Sequence, residues 1–246
     1  CSSYISYTPS VQSKEWDQFC PSIIPATLLG RQERDGTTRS ATVTWNPNGS
    51  DSAVTEAERA AEQLLKQLSQ DSVFDQRLIP VMRSYLLDFY QFCDQHFVGQ
   101  QFYCQARLVA SRGGSGTSCP LWHIDRVPVR WIQALTGPGC EVVKTPSSPG
   151  QEVHNGGINW SAFSLDGEEQ DDEIFMSIQD QNESRVNSKV AEIYKAETNE
   201  VMILVGDGWN DFACDKRKPV VHRSPTSISR WQSRLLFTQD VVVLDD

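Results

Sequence analysis

The hydrophobic period of the chain changes at Gly99, and that change limits the folds open to it. Before it, two segments repeat apolar residues at helical spacing. After it, apolar residues come in short runs of strand length, separated by turn residues. Over residues 53–70, Val54, Ala57, Ala61, Leu64, Leu65 and Leu68 share one helical face. Asp51 or Ser52 offers an N-cap, and Thr55 with Glu58 offers a competing capping box. A second helix is expected over residues 72–96, with Phe74, Leu78, Val81, Met82, Tyr85, Leu86, Phe89, Tyr90 and Cys93 as its apolar stripe. Pro80 inside it predicts a kink or a split.

The later runs, residues 102–110, 127–135, 201–205, 220–222 and 234–240, read as strands. Residues 112–117 form a Gly-rich loop, and Gly137-Pro138-Gly139 ends the second run as a turn. Residues 144–190 are a long polar excursion with an acidic stretch at 168–173. Residues 1–50 read as irregular, with Trp16, Phe19, Ile23 and Ile24 available for packing and a polar loop at 31–39. Helices first and short strands after predict an α+β chain. Its core is an antiparallel barrel or jelly roll, with the helices covering one face of a sheet. At 246 residues the chain suits a single domain. Residues 1–98 supply an irregular segment and the helical cover, and 99–246 the β-barrel core with its excursion. The chain opens on Cys1 rather than Met, so residues are expected to precede it.

A net charge of -10 argues against a nucleic-acid partner, which needs a basic face. No apolar run approaches the roughly 18–20 residues that span a bilayer, so no membrane partner is expected. Seven cysteines without CxxC spacing predict free thiols in a reducing, cytoplasmic setting. Gly113-Gly-Ser-Gly lacks the Lys-Ser/Thr of a phosphate loop, no Gly-x-Ser-x-Gly elbow is present, and no paired-cysteine zinc framework exists.

The chemistry concentrates in His123-Ile124-Asp125. At a period of two, both side chains point to one side of a strand or its frayed end. Two imidazoles and one carboxylate can hold one face of an octahedral metal and leave three positions open, the facial triad of non-haem Fe(II) oxygenases. His-x-Asp alone is common, and a lone histidine is more often a satisfied side chain than a ligand. Of the four histidines, however, His96 ends a helix and His154 falls in the excursion. His123 and His222 remain on strand-like segments. Arg234 follows in the next strand. A 2-oxoglutarate co-substrate that chelates iron by its keto-acid end needs a partner for its far carboxylate, and a guanidinium offers a bidentate one. The bland alternative is a surface arginine on an edge strand, although Arg234 directly precedes Leu-Leu-Phe.

The order His-x-Asp, His, Arg resembles the Fe(II)/2-oxoglutarate-dependent dioxygenases with their double-stranded β-helix, a jelly-roll or cupin-like core. Over roughly residues 100–241 the chain also resembles a domain family of unknown function, found mainly in bacteria. The matching motifs are His123-Ile-Asp125, Arg130, Gly137-Pro-Gly139, Gly206-Asp-Gly-Trp209, His222-Arg-Ser-Pro225 and Arg234-Leu-Leu236. The chain departs from that pattern at Cys140, where Thr is expected, and in the length of the 144–190 excursion. Both departures bear on the substrate pocket and its lid rather than on the ligands. The Trp-rich, helix-extended chain further resembles fungal amino-acid tailoring oxygenases of secondary metabolism, including one activity that closes an aziridine ring on valine.

The resemblance implies Fe(II) on His123, Asp125 and His222, with 2-oxoglutarate and O2 as co-substrates. The implied reaction is oxidation of an unactivated C–H bond of a small molecule, by hydroxylation, desaturation or ring closure. Retention of the Asp125 carboxylate disfavours halogenation. Arg130 is expected to share the 2-oxoglutarate or a substrate carboxylate, and Arg223 to take a substrate carboxylate. Both could instead pair with acidic neighbours such as Asp207 or Asp240. Trp122, Trp209 and Phe237, with Trp131, are candidates for the pocket wall or for ordinary core. The rival readings are a metal-binding cupin without oxygenase activity, in metal homeostasis or regulation, and a metal-free partner-binding domain.

Overall fold

The computed structural model describes residues 4–9, 14–23, 38–49, 51–69, 74–112, 121–144, 186, 191–213, 215–225, 228 and 232–244. Almost all of the 144–190 excursion, including His154, and the Gly-rich loop after Arg112 lie outside them. Among the described residues the elements run β1 (Tyr4–Tyr7), α1 (Trp16–Ile23), β2 (Thr38–Trp45), α2 (Ala53–Ser69), α3 (Leu78–His96), β3 (Phe102–Arg112), β4 (Val129–Thr136), β5 (Glu141–Val143), β6 (Ile193–Lys195), β7 (Val201–Val205), α4 (Trp209–Phe212), β8 (His222–Arg223) and β9 (Ser233–Val243). The strands form two sheets, six-stranded β1-β7-β4-β9-β3-β2 and three-stranded β6-β5-β8. All pairings are antiparallel. A reciprocal backbone bridge between His123 and His222 extends the smaller sheet past β8. From β3 onward the chain therefore winds between sheets: β3 in the large one, His123 in the small, β4 in the large, β5 and β6 in the small, β7 in the large, β8 in the small and β9 in the large.

The described residues among the first fifty are not all irregular. β1 and β2 form the two edges of the large sheet, and α1 brings Trp16 and Phe19 into the core. β2 alternates exposed and buried residues, so its Ala41, Val43 and Trp45 are too few and too spaced to stand out as an apolar run. Ser52 caps α2 through Thr55 N–H···Oγ at 3.2 Å, so the Ser52 cap forms and the competing Thr55–Glu58 box does not set the start. Pro80 neither kinks nor splits α3. The helix begins at Leu78, so Pro80 falls in its first turn, where a missing N–H costs no intrahelical bond.

Strand alternation gives the large sheet two distinct faces. Leu235, Phe237, Gln239 and Val241 of β9 turn toward the helices: Phe237 lies 6.2 Å from the Tyr85 ring, and Gln239 Nε2 donates to the Tyr85 carbonyl at 2.9 Å. Trp131 of β4 shares that face and meets Tyr85, Phe89 and Tyr7. Leu64, Leu65 and Leu68 of α2 are fully buried in the same apolar cluster, each worth about 1.5–3 kcal/mol relative to exposure. The intervening residues of β9, namely Arg234, Leu236, Thr238 and Asp240, point the other way. Among the described residues no helix is long and apolar enough to cross a membrane.

Candidate metal centre

His123 and His222 face each other as a hydrogen-bonded antiparallel pair. Each backbone N–H donates to the other's carbonyl at 3.0 Å. Directly opposed residues in such a pair project their side chains to the same face, and the two imidazole centroids lie 4.3 Å apart. Asp125 comes two residues after His123. One candidate ligand atom from each of His123, Asp125 and His222 lies within 4.8 Å of the others. No other group of three such side chains occurs among the described residues.

The hydrogen bonds orient these rings as metal ligands need. His123 Nδ1–H donates to the Leu121 carbonyl at 2.9 Å, and His222 Nδ1–H to the Val220 carbonyl at 3.2 Å. A carbonyl only accepts, so each Nδ1 carries the proton and each Nε2 keeps its lone pair for the centre. Asp125 Oδ2 is buried without a hydrogen-bond partner, and it lies 3.2 Å from His222 Nε2. Two lone-pair atoms facing each other in a buried site repel unless a cation lies between them. Cis ligands on a first-row divalent ion at bond lengths near 2.1 Å are separated by about 3 Å. The donor set of two neutral imidazoles and one carboxylate therefore fits a divalent transition metal, and iron among these. Burial, reinforced by His222, lowers the His123 pKa to about 4, which keeps it the neutral ligand. For Asp125, burial acts upward but is outweighed by the adjacent His222 side chain and the Arg130 guanidinium, leaving its carboxyl well below the usual range.

Backbone packing supports the ligand loop. Gly206, Asp207 and Gly208 donate N–H bonds to the carbonyls of Pro128, Asp125 and Arg126 at 3.0, 2.9 and 3.2 Å. A Cβ on Gly206 would meet the Val127 carbonyl oxygen at 1.9 Å, and one on Gly208 would meet that of Arg126 at 2.9 Å. The Gly-x-Gly-Trp motif thus has a physical reason, which is close backbone approach to the segment carrying Asp125. The motif is visible in the sequence, but this role is not. A turn-like Gly pair directly after the buried strand β7 was the available signal.

Arg234 is 1% exposed and lies on the face of β9 opposite the helices, the face that also carries Asp240. Its Nε donates to the Pro138 carbonyl at 3.0 Å. Burial lowers its pKa to about 10, with Cys140 acting in the opposite sense. The Gly-Pro-Gly turn is shaped to this strand: Gly137 has φ +78°, and a Cβ there would meet the Ser233 carbonyl oxygen at 2.8 Å. Arg234 is not a surface arginine on an edge strand, because β9 is flanked by β3 and β4.

The other expected site residues are placed differently. Arg130 is committed to protein carboxylates, with Nε and Nη2 on Asp240 at 2.6 and 2.8 Å and Nη1 on Asp125 Oδ1 at 2.6 Å. It braces a candidate ligand rather than offering a fork to 2-oxoglutarate. Arg223 follows His222 by one residue and so leaves the opposite side of β8. It pairs with Glu141 at 2.8 Å and lies 4.1 Å over the Trp122 ring. Trp122 is 1% exposed and packs in a separate apolar cluster with Val143, Val186 and Val221. Trp209 is buried between Phe92, His96 and Phe97, and its Nε1–H bonds the Asp215 carbonyl. Phe237 belongs to the helix-facing core. Trp209 and Phe237 thus sit as ordinary core, Trp122 in its own apolar cluster, and Arg223 on an acidic neighbour, Glu141 rather than Asp207 or Asp240. Sequence shows bulk and charge, but the face on which a side chain emerges depends on register.

No curated protein matches the chain in sequence. Solved structures that it resembles include the dioxygenase for auxin oxidation 1 of Arabidopsis thaliana in complex with 2-oxoglutarate. The two share 10% identity over 99% of this chain and 84% of that one, with a TM-score of 0.47. Rice dioxygenase for auxin oxidation gives 9% identity over 97% and 72%, with a TM-score of 0.47. IDO from Bacillus thuringiensis gives 9% over 99% and 95%, with a TM-score of 0.46. Similarity at this level transfers no activity. The family described as "Protein of unknown function (DUF1826)" matches residues 31–240; that span contains all three candidate ligands and Arg234, and the chain belongs to this family.

Proposed function

We propose that the chain is a non-haem Fe(II)/2-oxoglutarate-dependent oxygenase acting on a C–H bond of a small molecule, with amino acids as the substrate class to test first. The observation that carries the proposal is the grouping of His123, Asp125 and His222, with the unpartnered Asp125 Oδ2 beside His222 Nε2. The alternation of the chain between two antiparallel sheets agrees with a double-stranded β-helix. In this reading residues 1–246 form a single oxygenase domain, cytoplasmic, with a small-molecule substrate and neither nucleic acid nor membrane as partner.

His123, Asp125 and His222 would hold the metal, as two imidazoles and one carboxylate suited to a divalent transition ion. When bound, iron with 2-oxoglutarate and O2 supplies the oxidising power for C–H cleavage. Arg234 receives the far carboxylate of 2-oxoglutarate through a guanidinium already desolvated and fixed by Pro138, so little is lost on ordering it. The Nδ1–H bonds to Leu121 and Val220 hold both imidazoles in register during turnover. The apolar residues flanking this face, Leu236 and Ile132, exclude water from the side of Arg234. Hydroxylation, desaturation and aziridine closure share this machinery and differ in how the substrate is held.

The test is succinate formation from 2-oxoglutarate with Fe(II) and O2, screened over small amino acids. Wild type is expected to form succinate and His222→Ala to form none. Arg234→Met is expected to raise the 2-oxoglutarate Kd at least tenfold while metal binding persists. Metal binding without 2-oxoglutarate affinity in wild type would instead support a non-oxygenase cupin.

A further inference from the structure

Asp125 has two carboxylate oxygens, and the protein treats them differently. Oδ1 accepts Arg130 Nη1 at 2.6 Å. Oδ2 has no hydrogen-bond partner and faces His222 Nε2 at 3.2 Å. Arg130 cannot easily swing away, because Nε and Nη2 form a fork on Asp240 at 2.6 and 2.8 Å. Arg130 and Asp240 are directly opposed in the pairing of β4 with β9, so the backbone register itself sets the fork. Two carboxylates against one guanidinium leave one negative charge, which suits a divalent cation.

We propose that Arg130, anchored by Asp240, is a positioning residue that keeps Asp125 a one-oxygen ligand and so preserves an open coordination position. A free carboxylate beside a divalent ion can bind through both oxygens. Occupying Oδ1 with a short charge-assisted bond removes that option. A site with two imidazoles and one carboxylate oxygen has three positions left; with a two-oxygen carboxylate it has two. Chelation by a keto acid and binding of O2 together require three. Asp240 thereby gains a role although it touches no ligand atom of the centre.

The inference rests on the metal-centre reading, and the experiment separates the two. Mn(II) is bound to the full chain, and water-proton relaxation per bound Mn(II) reports the number of exchangeable waters. Wild type is expected to bind Mn(II) in a manner abolished by His222→Ala; failure here overturns the metal centre and the inference with it. Given that binding, Arg130→Gln should lose about a third of the relaxation per bound ion as one of three open positions closes. Arg130→Lys should restore it, since a single ammonium N–H on Oδ1 suffices. Asp240→Asn, which loosens the fork while retaining Arg130, should shift the value in the same direction as Arg130→Gln, and it serves if Arg130→Gln does not fold. Unchanged relaxation per bound Mn(II) in the folded variants would overturn the inference and leave the metal centre standing.

Discussion

Replacing Gly206 with alanine puts a methyl carbon 1.9 Å from the Val127 carbonyl oxygen and 2.7 Å from that of Asp125. The first contact is about 1.5 Å short of ordinary van der Waals distance, and both obstacles are backbone, which cannot rotate away as a side chain would. Either β7 with its following turn or the segment 125–128 must move. The three N–H bonds from Gly206, Asp207 and Gly208 then lengthen or break. Overpacking of this kind costs about 1–3 kcal/mol, and each weakened buried hydrogen bond adds about 0.5–1.5 kcal/mol. A destabilisation of about 3 kcal/mol corresponds to a Tm lower by about 6–12 °C for a chain of this size. Gly99→Ala is the control. Gly99 has φ +79° but nothing within 4 Å of a new Cβ, so only the left-handed backbone is strained, by about 1 kcal/mol. Thermal unfolding followed by circular dichroism measures both. Because the displaced segment carries Asp125, Gly206→Ala should also weaken Mn(II) binding, whereas Gly99→Ala should not. A Gly206→Ala protein with wild-type Tm and wild-type Mn(II) affinity would refute the close-approach argument.

Further expectations concern residues away from the centre. Arg223→Ala removes the Glu141 pair and the contact over Trp122, so it should lower the Tm by a few degrees while leaving 2-oxoglutarate affinity within twofold; a tenfold loss of that affinity would return Arg223 to the site. Phe237→Leu should lower stability by about 1 kcal/mol, read by urea unfolding, without altering Mn(II) affinity, because the ring faces Tyr85 and the helices. His96 has its pKa lowered by burial and by Arg217, with Asp215 opposing, so the unfolded chain binds the proton more readily. Stability from this group is present above the unfolded pKa of about 6.5 and is lost as pH falls through the folded value; His96→Gln should flatten the fall in unfolding free energy below that pH. The thiols of Cys20, Cys93, Cys104 and Cys140 are buried, with burial raising each pKa, so peptide-resolved alkylation should leave all four unmodified until the chain unfolds.

Much of the architecture was legible in the residues. The helical stripes of α2 and α3, the all-apolar β7 and the strand character of β3, β4 and β9 follow from local period, which needs no knowledge of partners. The candidate ligands were legible as well, since His-x-Asp fixes two side chains on one side and only His222 remained on a strand-like segment. β1, α1 and β2 were not legible. β1 and β2 are edge strands with exposed residues along them, and their identity depends on pairing with β7 and β3. The tertiary structure alone decided what the arginines and large aromatics do. Arg130 and Arg234 both stand on strands next to apolar residues, yet register sets Arg130 against Asp240 and leaves Arg234 on the Pro138 carbonyl. Arg223 and Trp122 adjoin His222 and His123 in the chain and so emerge on the other side, while Phe237 and Trp209 pack against α3 residues. A sequence sets the period of a strand by its own residue types. The face on which each residue emerges is set by the partner strand's register, and a shift of one residue would reverse it.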